Sequence, residues 1–295
     1  MAKRRHNFAS TLRVFGNLLS VLAVLFLVNK LLDYREIFAA IPFTVTEVAS
    51  LIFLMGVSGA ANHMLSLAWW LLLAHYTPSV GRATAVSIYG QSLIGKYIPG
   101  NIFQFAARQV TGVEKGVNGR SIASASLVEI PLLATLPVLS AFWLIAADGY
   151  LDQIWLGQYV FPAVVLILLC GILLCRSWWI ARSLILYSVF FGATGVVFAS
   201  IFWKINADLL FLSPEFFLLV IIFTVGWFAG FATPGAPAGL GVREVAVIFL
   251  AQGRYPENDL VLAVAVSRLA STFGDFGYWM WAHFKIQKME STNQN

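Results

Sequence analysis

Seven ionisable side chains fall in or beside strongly apolar segments of this chain: Lys96, Arg108, Glu129, Arg243, Glu244, Arg268 and Asp275. A charge at the centre of a hydrocarbon layer costs about 2.5–3.5 kcal/mol even on lenient insertion scales, so each of these groups must pair or face water. Arg268 and Asp275 are seven residues apart, two helical turns, and share one helix face. Glu129 stands two residues before Pro131, at a kink expected to turn it inward. The chemistry on offer is charge recognition rather than bond breaking. Ser92 and Ser271 have no usable histidine partner, and there is no Gly-x-Ser-x-Gly, P-loop or His-Glu-x-x-His. An intramembrane lipid-modifying enzyme acting through an acid such as Glu129 is the minority reading.

Two of the arginines follow the same pattern. Gly95, Pro99, Gly100 and Arg108 match Gly230, Pro234, Gly235 and Arg243 at a constant offset of 135, giving Gly-x3-Pro-Gly-x7-Arg twice. Each copy cuts a short apolar segment in the middle, which predicts a helical hairpin that dips into the bilayer and turns back. Four matches at one offset point to an internal duplication, with halves of about 1–150 and 151–295. Non-helical backbone survives at membrane depth only where protein buries it or where it lines a wet cavity. The half-helix after each Pro-Gly offers free N–H groups and a positive dipole end, a favourable place for an anion such as phosphate. Broken helices at corresponding positions of two repeats mark a transport site near the midplane.

The bland alternatives stay open beside this reading. Arg108 and Arg243 either hold an anion or snorkel to the headgroups as anchors; Lys96 is either a site residue or an interfacial lysine. Arg268 and Asp275 either serve the site or only tie helices together. The glycines alone would fit close helix packing, which leaves the prolines unexplained.

The elements that must position these residues are membrane spans. Of 295 residues 59% are hydrophobic and 11% charged, and apolar runs long enough for a roughly 30 Å core, about 20 helical residues, recur along the chain. Spans are expected near 12–32, 49–73, 122–147, 159–174, 184–203, 209–231 and 260–281, with one broken region adding an eighth. The fold class is thus all-α: a polytopic bundle of seven or eight spans with two broken or re-entrant hairpins, forming a single membrane domain over 1–295 with no soluble domain. The runs are too long for the roughly ten-residue strands of a barrel.

The basic start Lys3-Arg4-Arg5 and the loop cations Arg82, Lys115, Arg120, Arg176 and Arg182 set a cytoplasmic N-terminus in the cytoplasmic (inner) membrane. Tryptophans at 69–70, 178–179, 203, 279 and 281 read as interfacial anchors. The net charge of +5 suits anionic lipid, and the basic residues come without the aromatic platforms of a nucleic-acid binder. Cys170 and Cys175 read as buried hydrophobes, and the four histidines lack ligand spacing. Neither a metal nor a cofactor is expected.

With Lys96-Tyr97-Ile98-Pro99-Gly100-Asn101 upstream and Pro234-Gly235-Ala236-Pro237-Ala238-Gly239-Leu240-Gly241-Val242-Arg243-Glu244 downstream, the chain resembles the lysylphosphatidylglycerol synthase transmembrane-region family. This family includes the flippase part of the multiple peptide resistance factor and stand-alone relatives. The resemblance follows the span pattern over nearly the whole chain and is specific at these two motifs. The second departs from the usual Pro-Gly-Gly form by carrying Ala236-Pro237-Ala238. What it implies is lipid movement between leaflets around a headgroup cavity. The short tail after Lys285 leaves no place for an aminoacyl-transferase domain, so synthase activity is not expected. The expected function is a flippase-like translocase for a phosphate-bearing lipid or glycolipid. In that role Arg108, Arg243, Gly100 and Gly235 would hold the phosphate. Glu129, Glu244, Arg268, Asp275 and Lys96 would balance charge or meet the headgroup. The alternative is a non-transporting membrane partner of a glycosyltransferase or lipid synthase.

Overall fold

The computed structural model describes residues 44–98, 102–147, 177–206, 210–233 and 237–292. The spans expected at 12–32 and 159–174, both cysteines, and the break residues Pro99, Gly100, Pro234 and Gly235 lie outside these. The first half of the described chain runs α1 (Val45–Tyr76), α2 (Arg82–Ser92), a 3-10 turn (Leu93–Tyr97), α3 (Phe103–Glu114) and α4 (Gly119–Ala147). The second runs α5 (Trp178–Ile205), α6 (Pro214–Ala232), a 3-10 turn (Pro237–Gly239), α7 (Val242–Ala251) and α8 (Glu257–Thr292). No strand occurs among the described residues. Helices α1, α4, α5, α6 and α8 are each long and apolar enough to cross a membrane. The protein is an all-helical, multi-pass membrane bundle.

Helix starts follow local chemistry where the chain enters from a loop. Thr44 caps α1 in a capping box: its hydroxyl accepts from the Glu47 N–H (3.4 Å), and the Glu47 carboxylate accepts from the Thr44 N–H (3.0 Å). Ser213 caps α6 through the Phe216 N–H (3.2 Å), with Pro214 pre-set for the first turn. The half-helices α3 and α7 begin with no side-chain cap.

Two apolar clusters hold the bundle. One joins α5, α6, α7 and α8 through Phe198, Phe202, Phe216, Ile222, Val247 and Leu260. The other joins α1, α2, α4 and α5 through Trp69, Leu72, Ile88, Ile122, Tyr187 and Phe191. Outward-facing Ile52, Phe53, Leu127, Ile185 and Phe249 are exposed. A hydrocarbon solvent accepts such side chains at no cost, so association must come from close packing instead. Helices α1 and α8 achieve it at Gly59 and Gly274, where a Cβ on Gly274 would lie 2.7 Å from the Gly59 nitrogen.

The two ends of the bundle differ in charge. At one end α5 stops, and α1, α6 and α8 start. Ties between them include Lys204 Nζ donating to Ser50 Oγ (2.7 Å), Asn206 Nδ2 to Asp259 Oδ2 (2.8 Å) and the Tyr255 hydroxyl to the Glu215 carbonyl (3.1 Å). This end gathers Glu47, Glu215, Glu257 and Asp259. At the other, α1 and α3 stop while α2, α4 and α5 start: Trp70 Nε1 donates to the Val80 carbonyl, Gln109 Nε2 to the Gly119 carbonyl, and His75 stacks on Trp179 at 4.2 Å. Arg82, Lys115, Arg120 and Arg182 belong to this end. Hairpin α2–α3 therefore enters from the basic end and hairpin α6–α7 from the acidic end. Their turns meet inside, where Ile94, Tyr97 and Ile98 pack with Ala238 and with Trp279 of α8.

Candidate functional site

The meeting of the two turns is organised by one face of α8. Asp275 follows the Gly59–Gly274 crossing, which brings Asn62 of α1 close enough for its Nδ2 to donate to Asp275 Oδ1 (2.8 Å). The first turn supplies the other partners: the Tyr97 hydroxyl donates to Oδ2 at 2.5 Å, and Lys96 Nζ lies 2.6 Å from it. Two helical turns earlier, Arg268 holds the second turn. Its Nε donates to Glu244 and its terminal nitrogen to the Ala238 carbonyl (3.0 Å). Ala238 has φ 49°, a left-handed conformation disfavoured for a residue with a Cβ, and the Arg268 bond gives its carbonyl a partner there. The shared face expected for Arg268 and Asp275 thus pins both hairpins, one residue to each.

The third ion pair ties the first hairpin to α4. Arg108 of α3 pairs with Glu129 of α4, and the Tyr89 hydroxyl donates to the same carboxylate (3.0 Å). The Arg108 guanidinium lies between three rings, 4.1 Å from the centre of Tyr89, 5.0 Å from Trp69 and 5.4 Å from Phe105. It is 2% exposed, which places it inside the protein and not snorkelled to a surface. Trp69, expected at a headgroup interface, is fully buried. The cause is its position on the inner face of α1, where it forms part of the floor under Arg108. Glu129 is buried ahead of Pro131, and both Pro131 and Pro137 lie within α4.

Arg243 differs from the other cations. It is 8% exposed, and its guanidinium lies over the Phe223 ring at 4.3 Å. Among the described residues its guanidinium has no carboxylate at ion-pair distance and no hydrogen bond, although Glu244 and Asp275 attract it from farther away. Its neighbour Glu244 is committed to Arg268. A desolvated guanidinium without an acceptor is costly unless a ligand or water supplies one.

Such a space exists. Lys96, Arg108, Glu129, Arg243, Arg268 and Asp275 all line one cavity of about 80 Å³, and a water needs about 10–15 Å³. Neutral polar groups of the same lining include Asn62, Gln104 and Ser271; an apolar side is made by Leu65, Phe190, Phe223 and Trp227. Gln104 has no hydrogen-bond partner among the described residues. Six of the seven charged residues singled out by sequence converge here, and Glu244 joins them through Arg268.

The first glycine of each motif has a local reason. A Cβ on Gly95 would lie 2.8 Å from the backbone of Gln104, where α3 begins, and one on Gly230 would lie 3.0 Å from Gly239 and from Arg243 Cβ. In both hairpins the glycine lets the returning chain cross nine residues later, so the contacts Gly95–Gln104 and Gly230–Gly239 are themselves separated by 135.

Sequence reasoning passed over Asn62, Tyr89, Tyr97 and Gln104. An amide in the middle of an apolar span was a usable signal for Asn62. The two tyrosines carried none, since a buried aromatic is ordinary in such a chain.

The fold and site define a membrane bundle with a charged internal cavity between two opposed hairpins. No protein-family model, curated protein or solved structure matches the chain.

Proposed function

We propose that the protein is a flippase-like translocase that admits the phosphate of a lipid or glycolipid headgroup into the cavity between the two hairpins, with Arg243 as the phosphate anchor. The observation that supports this reading is a buried guanidinium with no acceptor among the described residues, facing a cavity inside a bundle of span-length apolar helices. Arg108, whose charge is balanced by Glu129, lines the same space and can add a donor from its side chain. Lys96 and Arg268 hold the turns through Asp275 and Glu244, so their charges are committed to the frame. The membrane is the cytoplasmic one, with the basic end of the bundle inside.

An internal duplication underlies the arrangement. The same element order in each half, the four motif matches and the two glycine contacts at one offset all support it. Because the hairpins enter from opposite ends, the halves are inverted with respect to one another, the plan that lets a central site face either leaflet by rocking one half on the other. The resemblance to the lysylphosphatidylglycerol synthase transmembrane-region family agrees with lipid as the cargo.

The test is leaflet exchange of fluorescent phospholipids in liposomes carrying wild type, Arg243→Ala or Arg108→Ala. The expected order is wild type fastest, Arg108→Ala reduced and Arg243→Ala at the level of empty liposomes. Equal exchange in all of these, empty liposomes included, would sink the proposal.

A further inference from the structure

The charged residues described around the cavity do not cancel. Lys96, Arg108, Arg243 and Arg268 face Glu129, Asp275 and Glu244. Three of the four cations have a named carboxylate: Lys96 has Asp275, Arg108 has Glu129, and Arg268 has Glu244. Among the described residues one positive charge is left, on Arg243, and the short stretches 99–101 and 234–236 beside the turns contain no ionisable residue.

From this we infer that the site selects a singly charged phosphodiester lipid over a lipid phosphomonoester or diphosphate. The inference rests on the proposed headgroup site and specifies its substrate class. One phosphodiester brings one negative charge and leaves the cavity neutral. A diphosphate would bring at least one further charge into a space where every other cation is already engaged at hydrogen-bond distance. Accepting it would require breaking a buried pair and leaving its carboxylate uncompensated, which is the expensive outcome for buried charges. Gln104, whose amide has no partner among the described residues, lines the same cavity and can meet a neutral hydroxyl or ester oxygen of the headgroup. Low polarity around the cavity, from Phe190, Phe223 and Trp227, raises the penalty for any imbalance.

The experiment compares dioctanoylphosphatidylglycerol, dioctanoylglycerol pyrophosphate and sodium phosphate as ligands of the purified full-length protein in detergent, by titration of thermal unfolding. Wild type is expected to bind the phosphodiester at least about tenfold more tightly than either of the others. Glu244→Gln and Glu129→Gln each add one net positive charge, so the ratio of phosphodiester to pyrophosphate affinity should fall by about tenfold in each. Glu244→Gln is the gentler change, because one of its carboxylate oxygens already has no partner. It carries the test if Glu129→Gln does not fold. Tighter wild-type binding of the pyrophosphate, or of sodium phosphate, overturns the inference, and so does a ratio that neither variant moves. A maintained preference without leaflet exchange would sink the translocase reading alone. Exchange with the pyrophosphate preferred would sink the charge selection alone.

Discussion

The two hairpins carry the same motif and treat its arginine in opposite ways. In the first, Arg108 is neutralised by Glu129 and enclosed by Trp69, Tyr89 and Phe105. In the second, Arg243 rests on a single ring, Phe223, with no carboxylate at ion-pair distance among the described residues. The backbone logic is common to both, since Gly95 and Gly230 allow the same close crossing. The difference lies in what the following helix offers: α4 presents Glu129 to the first arginine, whereas α8 spends its charges on the turns, Arg268 on the second and Asp275 on the first. One motif has become part of the frame. The other keeps an uncommitted charge.

That contrast makes ordered predictions. The largest effect should come from stripping Arg108 of its partner: Glu129→Leu is expected to destabilise the purified protein by about 3–5 kcal/mol, because a buried cation is left uncompensated. Arg243→Gln should show the reverse pattern, with no loss of thermal stability and with lipid exchange abolished. A stability loss as large as that of Glu129→Leu would erase the distinction between the two arginines. Next come the glycines. Gly95→Ala and Gly230→Ala should each cost about 1–3 kcal/mol, since each methyl meets backbone rather than a side chain that can turn aside. Similar losses at the two positions would sharpen the case for a duplicated hairpin, and loss at only one would weaken it. Smallest, Tyr89→Phe removes one hydrogen bond to Glu129 while leaving the ion pair, and should lower stability by about 0.5–1.5 kcal/mol.

Much of the bundle was legible in the sequence because hydrocarbon demands long apolar runs. The spans expected near 49–73, 122–147, 184–203, 209–231 and 260–281 overlap α1, α4, α5, α6 and α8; α1, α4, α5 and α8 run further at one or both ends, whereas α6 starts later, at Pro214. Helices keep going past the apolar stretch until a cap or turn stops them, and hydropathy does not see that stop. The charged residues of the site were legible for the same reason, each being too costly in lipid to be accidental. Pairing was not legible. Lys96 with Asp275 and Glu244 with Arg268 are joined across 179 and 24 residues, and helical periodicity reports only neighbours on the same helix. Trp69 shows the matching error, since an interfacial ring and a core ring have the same local signature.

The most direct measurement is a structure of the full-length protein in lipid nanodiscs. A lipid phosphate is expected within about 3 Å of the Arg243 guanidinium nitrogens, with Arg108 still on Glu129 and both turns still held by α8. Finding Arg243 bound to a carboxylate of the chain itself, with only water in the cavity, would contradict that expectation.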